Sequence, residues 1–214
     1  LCVDIFSKFA SVVPIMTKDG SDAAAGIIEN FQQMGKKPEL LYTDGETSFV
    51  SDALVTYYRE QKIKHYVTRK HAAFAERMIR TFKAMLYKRI DQAKVKVENP
   101  QWHDYIYQVM LTYNNKVVHS STKKTPAEAT KQTHQMDVKA NLEIRAMKNR
   151  KYPPLSVGDS VKIMRKKKAG EKERTSNWSI EVFKVTAINK QHGQEYYTTD
   201  GAERDYTRAE VLKV

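Results

Sequence analysis

The order of apolar and polar positions along the first 70 residues predicts strands that alternate with helices. LCVDIF and FASVVPI are β-rich runs separated by Ser7 and Lys8, which indicates a hairpin. The pattern then predicts a helix at about 22–34, a strand over 40–42 that leads to Asp44, a helix over 50–61 and a strand over 63–68. Such alternation favours an α/β sheet.

A long amphipathic helix is predicted from 72 to 91. Its apolar residues recur at helical spacing: Phe74, Met78, Phe82, Met85 and Ile90. The residues left on another face are Glu76, Arg80, Lys83 and Tyr87. Glu76 is thus a single acid on a face with two cations. Taken alone, it is interpreted as the i,i+4 partner of Arg80, in an ion pair worth about 0.3–0.5 kcal/mol.

The next part of the chain predicts a second long helix and a capped turn. The helix is expected over 101–114, with a buried stripe formed by Trp102, Ile106, Val109, Met110 and Tyr113. Thr125, Pro126 and Glu128 then stand in the order of a capping box with proline at the first helical position. A short helix should therefore start after Thr125.

The remaining sequence predicts a linker and a small β domain. Residues 136–154 carry mixed charges and end in YPP, which suits a linker. After it, VGDSVKIM, SIEVFKVTAI, QEYYTT and ERDY alternate in the manner of strands, with glycines between them. We therefore predict a core at 1–135 and a small SH3-like β-barrel at 155–214.

The charge of the chain indicates a polyanionic partner. The formal net charge is +12, with 12 basic and 3 acidic side chains over 59–96 and 7 basic and 2 acidic ones over 162–174. Residues 1–50 are instead net acidic, with 4 basic and 7 acidic side chains. No apolar run approaches the roughly 20 residues of a membrane-spanning helix, so nucleic acid is favoured over a membrane. Two separate basic segments suggest a long ligand.

The cysteine and histidine content argues against a disulfide framework and a zinc site. Cys2 is the one cysteine, which favours an intracellular protein. The six histidines show no zinc-ligand spacing: His65, His71, His103, His119, His134 and His192.

Five motifs in order resemble the retroviral-type integrases, a branch of the RNase H-like superfamily of DNA transposases. VDIFSKFASVVPI is similar to the second and third strands of their core, and YTDGETSF to their TDxGxEF motif. AERMIRTFK resembles the helix that bears the third catalytic acid, and TYNNKVVHSSTKKTPAEA the segment that closes the core. RTSNWSIEVFKV with YYTTDGAERDYTRAEVLKV resembles the C-terminal barrel of the integrases of Maverick/Polinton elements and related retrotransposons.

The resemblance implies metal-dependent cleavage and strand transfer on DNA. Asp44 and Glu76 would be catalytic and would hold Mg²⁺ or Mn²⁺, because two such ions about 4 Å apart activate the attacking oxygen and stabilise the leaving one. Carboxylate oxygens are the ligands that Mg²⁺ prefers. The resemblance also implies a homo-oligomer that binds element ends and target DNA, with no membrane, in the nucleus or a virion.

Basic residues around the two acids are expected to bind DNA phosphates. In the core they are Lys70, His71, Arg77, Arg80 and Lys83. In the tail they are Arg165, Lys166, Lys167, Lys168 and Arg174. A solvated loop is the plainer interpretation of the tail run. Trp178 and Phe183 are expected in the core of the barrel rather than as stacking platforms.

The chain departs from the family at the first catalytic acid. Asp4 matches a non-catalytic aspartate at the end of the second strand, so the first strand with its catalytic Asp is expected to be absent, together with the N-terminal zinc domain. Asp4 as a substitute ligand is kept as the alternative. Glu46 and Ser48 stand where the family has glycine and glutamate, and Glu46 is interpreted as a solvated or supporting acid.

Two functions of different class follow. In the first, the sequence belongs to an active integrase whose missing strand lies upstream. In the second, it is a domesticated or decayed integrase that binds nucleic acid without chemistry.

Overall fold

Strands and helices alternate along the first of two units, Leu1–Lys148 and Asn149–Val214, into which the chain divides. The computed structural model describes residues 1–67, 73–149, 151–165, 176–191, 194–201 and 204–214. The strands of the first unit are β1 Cys2–Val3, β2 Ala10–Ser11, β3 Leu40–Thr43 and β4 Lys64–Val67. Its helices are α1 Gly20–Gln33, α2 Asp52–Glu60, α3 Ala73–Ala93, α4 Ile106–Lys116, α5 Pro126–Ala129 and α6 Gln135–Met147.

The strands of the first unit form two pairs of different direction. β1 and β2 are antiparallel, with Cys2 opposite Ser11, as the predicted hairpin requires. β3 and β4 are parallel, with Leu40 opposite Lys64 and Thr43 opposite Val67. A parallel pair needs a crossover connection, which α2 supplies.

Helices pack on both faces of β1. Leu1 and Val3 pack against a cluster built largely from α3 and α4, whereas Cys2, between them, packs against the cluster of α1 and α2. Successive side chains of a strand point to opposite faces, so this alternation places β1 between two helical layers. The side chain of Asn114 joins α4 to β2 by bonds to the carbonyl and the amide of Ala10, at 2.8 and 3.1 Å.

The buried stripes of the two long helices differ in part from the prediction. Met78 and Phe82 are buried as expected, and Leu86 joins them in the core. Phe74 is 50% exposed, because it stands in the first turn of α3, where the ammonium of Lys8 lies over its ring. The prediction for Trp102 is also wrong. It is 49% exposed in a 3₁₀ turn, Trp102–Tyr105, that precedes α4 instead of continuing it.

The predicted capping box is present at the start of α5. The hydroxyl of Thr125 accepts from the amide of Glu128, and the Glu128 carboxylate accepts from the amide of Thr125 at 2.9 Å. These two bonds satisfy amide groups that have no partner within the helix.

The sequence from 136 was predicted to be a linker, but helix α6 occupies most of it and belongs to the first unit. Val138 is fully buried, and the amide of Asn141 donates to the carbonyl of Thr122 at 3.1 Å. A single buried valine on a highly charged helix produces little hydrophobic periodicity, which is why the sequence suggested a linker.

The second unit is a five-stranded antiparallel sheet. Its strands are β5 Ser160–Ile163, β6 Phe183–Gln191, β7 Gln194–Thr199, β8 Tyr206–Thr207 and β9 Val211–Lys213, in the order β8-β7-β6-β5-β9. Val161, Val185, Tyr197 and Val211 are buried at its centre, and Phe183 packs against them as predicted. Trp178 is partly buried and bridges to Met164.

Among the helices that the structure describes, none combines the length and apolar character needed to cross a bilayer.

Candidate nucleic-acid processing site

Asp44 directly follows β3, at the carboxyl end of the parallel pair. Gly45 comes next, and a side-chain carbon added to it would lie 3.7 Å from Val67, the last residue of β4. The two strands therefore end side by side, where the chain leaves the sheet. Oδ1 of Asp44 is buried and has no hydrogen-bond partner among the described residues. A buried carboxylate oxygen without a partner is costly, so such an oxygen indicates a missing donor or ion.

A hydrogen-bonded layer lies beneath Asp44. The Oγ1 of Thr43 donates to the Asp44 carbonyl at 2.9 Å and lies 2.8 Å from Nε2 of His65. Because a hydroxyl has one hydrogen to donate, Nε2 of His65 carries the proton and donates to Thr43. Burial lowers the pKa of His65, which favours this neutral form. The ring of Tyr58 lies 4.7 Å from the His65 ring and closes the layer from α2.

This layer was not identified from the sequence. Leu41 and Thr43 share one face of β3, and His65 lies directly opposite Leu41 in the parallel register. Strand alternation predicts which residues share a face within one strand. That Thr43 and His65 are neighbours follows only once the register between β3 and β4 is known.

Glu76 lies in the first turn of α3 and is exposed. Arg80, Lys83 and Tyr87 are exposed as well, so the predicted polar face of this helix is confirmed. Five residues between Val67 and Ala73 lie outside the described part of the chain, and a segment of that length spans at most about 20 Å. The start of α3 thus lies within about 20 Å of the end of β4.

Of the other predicted site residues, the structure describes two, Arg77 and Arg165. Arg77 is exposed on α3, and the guanidinium of Arg165 donates to the carbonyl of Ser176 at 2.8 Å. The remaining predicted DNA-binding residues lie outside the described residues: Lys70, His71, Lys166, Lys167, Lys168 and Arg174. Across the described segments, no three His, Cys, Asp or Glu side chains come together as a potential metal site.

Both carboxylate oxygens of Asp4 accept hydrogen bonds from other parts of the chain. Its Oδ1 accepts from the amide of Phe6 at 2.9 Å, and its Oδ2 accepts from the ammonium of Lys36 at 2.7 Å. Burial pushes the pKa of Asp4 upward, but the bonds from Lys36 and Phe6 outweigh it and the pKa is lowered. Both oxygens are therefore used to hold the β1–β2 turn against the end of α1.

Glu46 lies at the surface. Its carboxylate is 3.4 Å from the ammonium of Lys18, and both side chains are well exposed. An exposed pair of this kind contributes little to stability, in keeping with the interpretation of Glu46 as a solvated acid.

Two curated proteins are similar to the chain in sequence. A retrovirus-related Pol polyprotein from transposon 297 of Drosophila melanogaster is 31% identical over 131 residues, which are 59% of this chain and 12% of that protein. A putative uncharacterized transposon-derived protein of Caenorhabditis elegans is 25% identical over 189 residues, 86% of this chain and 60% of that protein. The chain thus spans less than two thirds of either relative. No protein-family model matches it.

Solved integrase structures share the fold. The catalytic core domain of HTLV-2 integrase, in complex with magnesium, superposes with a TM-score of 0.50 at 21% identity and covers 60% of this chain and 81% of that one. The simian T-cell lymphotropic virus intasome, in complex with the PP2A regulatory subunit B56 gamma, superposes with a TM-score of 0.64 at 14% identity, covering 99% of this chain and 70% of that one.

The resemblance to the integrase core that the motifs predicted is therefore confirmed: the chain is similar in sequence to a retrovirus-related Pol polyprotein and to a transposon-derived protein, and it has the mixed α/β fold of the retroviral-type integrase core, followed by a five-stranded antiparallel sheet.

Proposed function

We propose that this chain is part of an integrase that cleaves DNA and joins DNA ends with the help of divalent metal ions. The observation that carries the proposal is the buried, unpartnered Oδ1 of Asp44 at the carboxyl end of β3, in a fold of the integrase core. Ligands and reacting groups of open α/β sheets lie outside the carboxyl ends of the strands.

The donor set around Asp44 fits Mg²⁺ or Mn²⁺. A carboxylate oxygen that has no hydrogen-bond donor is the kind of hard ligand that these ions take. Asp44 and Glu76 would hold the metal, which supplies activation of the attacking oxygen and stabilisation of the leaving oxygen when bound. The related HTLV-2 core was solved in complex with magnesium.

The residues of the chain would position the DNA around these acids. Arg80 and Lys83 follow Glu76 by one and two turns of α3 on the same exposed face. Their cations would bind the phosphates that flank the cleaved bond, and so offset the repulsion between the phosphates and the two carboxylates. The hydrogen bond from Thr43 to the carbonyl of Asp44 would hold the backbone of the acid in place.

We propose that the third acid comes from a strand upstream of Leu1 that lies between β1 and β3. Within the described residues, β1 pairs with β2 and β3 with β4, so each of β1 and β3 keeps one unpaired edge. Cys2 and Leu41 both pack against the same buried cluster of α1 and α2, which brings the two strands to one layer. Unpaired strand edges inside a fold require a hydrogen-bonding partner.

The second unit would serve as an SH3-like DNA-binding barrel. β8 and β9 are the two edges of the sheet, yet only Arg208–Glu210, a single 3₁₀ turn, joins them along the chain. A flat sheet would separate these edges by about 19 Å, four strand spacings, so such a short connection favours a strongly curled sheet. The protein would act as a homo-oligomer on element ends and target DNA, in the nucleus or a virion.

Strand transfer by the chain extended upstream through its native sequence tests the proposal. With Mg²⁺ or Mn²⁺ and a labelled linear duplex, the extended chain should nick and join DNA, and Asp44→Asn or Glu76→Gln should reduce this to background. The 214-residue chain should be inert. Asp4→Asn and Glu46→Gln are the controls that should retain activity in the extended chain.

Two outcomes would overturn this assignment. Full activity of the extended Asp44→Asn variant would show that Asp44 is not a catalytic metal ligand. Activity of the 214-residue chain that is lost in Asp4→Asn, with the fold intact by circular dichroism, would make Asp4 the first catalytic acid. An extended chain that binds DNA but never cleaves it would favour the decayed binding module.

A further inference from the structure

Lys8 is a buried cation in the turn between β1 and β2. Its side chain and backbone together are only 9% exposed, and its backbone adopts the left-handed region with φ +65°. The turn is held by backbone bonds between Asp4 and both Lys8 and Phe9, at 2.8 Å each. The ammonium of Lys8 donates to the carbonyl of Ile5 and lies 4.7 Å from the ring centre of Phe74. A positive charge is therefore placed beneath the first turn of α3.

Hydrogen bonds at two neighbouring residues, His119 and Ser120, lie between this turn and α6. The hydroxyl of Tyr113 donates to the carbonyl of Lys8 at 3.0 Å and lies 2.8 Å from Nε2 of His119. The neighbouring residue, Ser120, accepts at its hydroxyl from the guanidinium of Arg145 at 3.3 Å. Arg145 of α6 is thus tied to the same region of the surface as the β1–β2 turn.

Arg77 approaches the same region from α3. It lies one helical turn after Phe74, so the two side chains are neighbours on the helix surface. Arg77, Ser120 and Arg145 are all exposed, whereas Lys8 is buried. We call these four residues the Lys8 cluster; they come from the β1–β2 turn, α3, the segment after α4, and α6.

The charges of the Lys8 cluster act on one another. Burial lowers the pKa of Lys8, and the positive charges of Arg145 and Arg77 lower it further. Asp4 opposes this effect, but its carboxylate also binds Lys36. Like charges that act on one another raise the local electrostatic potential, which an anion at the surface would relieve.

We propose that Arg77, Arg145 and the hydroxyl of Ser120 bind a phosphate of duplex DNA above the buried ammonium of Lys8. Guanidinium groups match the geometry of phosphate oxygens, and the hydroxyl of Ser120 keeps its hydrogen available while it accepts from Arg145. Lys8 is a positioning residue: its buried ammonium does not touch the phosphate but adds positive charge to the site. The choice of DNA as the source of the phosphate rests on the function proposed above.

The neighbouring surface favours a long polyanion over a small one. Arg80 is exposed on α3 one turn after Arg77, so positive charge continues along the helix from the Lys8 cluster towards Lys83. A duplex that contacts several of these cations would release a counterion at each phosphate, which a single phosphate ion cannot do.

The test measures the affinity of the 214-residue chain for a 30-base-pair duplex of random sequence, in EDTA and over a range of salt concentrations. Arg77→Gln and Arg145→Gln should each weaken binding and reduce the slope of log affinity against log salt by about 1. The double variant should lose less than the sum of the two, because both arginines share one phosphate. Arg89→Gln on α3 and Lys139→Gln on α6 are matched controls that should keep the wild-type slope.

The outcomes separate this inference from the proposed function. If the wild-type chain binds DNA but Arg145→Gln behaves as Lys139→Gln does, the phosphate site is refuted and the proposed function stands. If neither the wild-type chain nor any variant binds DNA, both the phosphate site and the proposed function fail. In a second experiment, the thermal unfolding midpoint of the chain is measured in inorganic phosphate and in chloride at equal ionic strength. Stabilisation by phosphate that Arg145→Gln removes, with DNA affinity unchanged, would make a free ion the ligand and overturn DNA as the source.

Discussion

The hydroxyl of Thr43 lies 2.8 Å from Nε2 of His65 and joins the end of β3 to β4. The same hydroxyl donates to the carbonyl of Asp44 at 2.9 Å. One side chain therefore contacts both a half-buried histidine and the backbone of the acid proposed to bind metal. The parallel pairing of β3 with β4 makes this arrangement possible, because it places Thr43 diagonally across from His65 on one face.

Thr43→Val should destabilise the first unit by about 1–3 kcal/mol, because the near-isosteric side chain leaves the Nε2–H of His65 and the carbonyl of Asp44 without their partner. Urea unfolding followed by circular dichroism measures the change. Thr43→Ser retains the hydroxyl and should cost less. Equal loss in both variants would show that the methyl group, not the hydrogen bonds, stabilises this position.

Stability should fall as the pH is lowered below about 6.5. Burial lowers the pKa of both His65 and His119 from the ordinary value of 6.5, and the charge of Lys8 adds to the effect on His119. Below that value the unfolded chain binds more protons than the folded one, so each proton taken up favours unfolding.

Urea midpoints at pH 7.5 and pH 5.0 measure this dependence. His119→Gln should reduce the loss between the two pH values, since the glutamine does not titrate. The control is His103→Gln, at a histidine that is exposed on the 3₁₀ turn before α4. The explanation is wrong if His119→Gln and His65→Gln both leave the pH dependence of wild type unchanged.

Val138→Ala should destabilise the first unit by about 2 kcal/mol, because two buried methyl groups are removed and a cavity remains. Val138 is fully buried, whereas Met136 in the first turn of the same helix is 84% exposed. Met136→Ala is therefore the matched control and should change stability by less than about 0.5 kcal/mol. Equal effects of the two substitutions would show that α6 does not pack on the core in solution.

The sequence by itself determined the order of strands and helices as far as α5, the capping box at Thr125 and Glu128, and the polar face of α3. Each of these depends on residues a few positions apart, whose spacing matches the period of a strand or a helix. The five motifs likewise indicated the resemblance to integrases before any strand pairing was known. Asp44 and Glu76 were predicted as metal ligands from these motifs, since nothing in the spacing of two acids alone distinguishes a metal ligand from a surface ion pair.

The tertiary structure decided which side chains meet across the fold. Trp102 and Phe74 are exposed although their spacing predicted burial, because a helix pattern does not specify where the facing layer ends. Asp4 accepts a hydrogen bond from Lys36, and the carbonyl of Lys8 accepts one from Tyr113, across 32 and 105 residues of sequence. Local periodicity carries no information about such pairs; only the tertiary packing of the β1–β2 turn near the end of α1 and α4 brings them together.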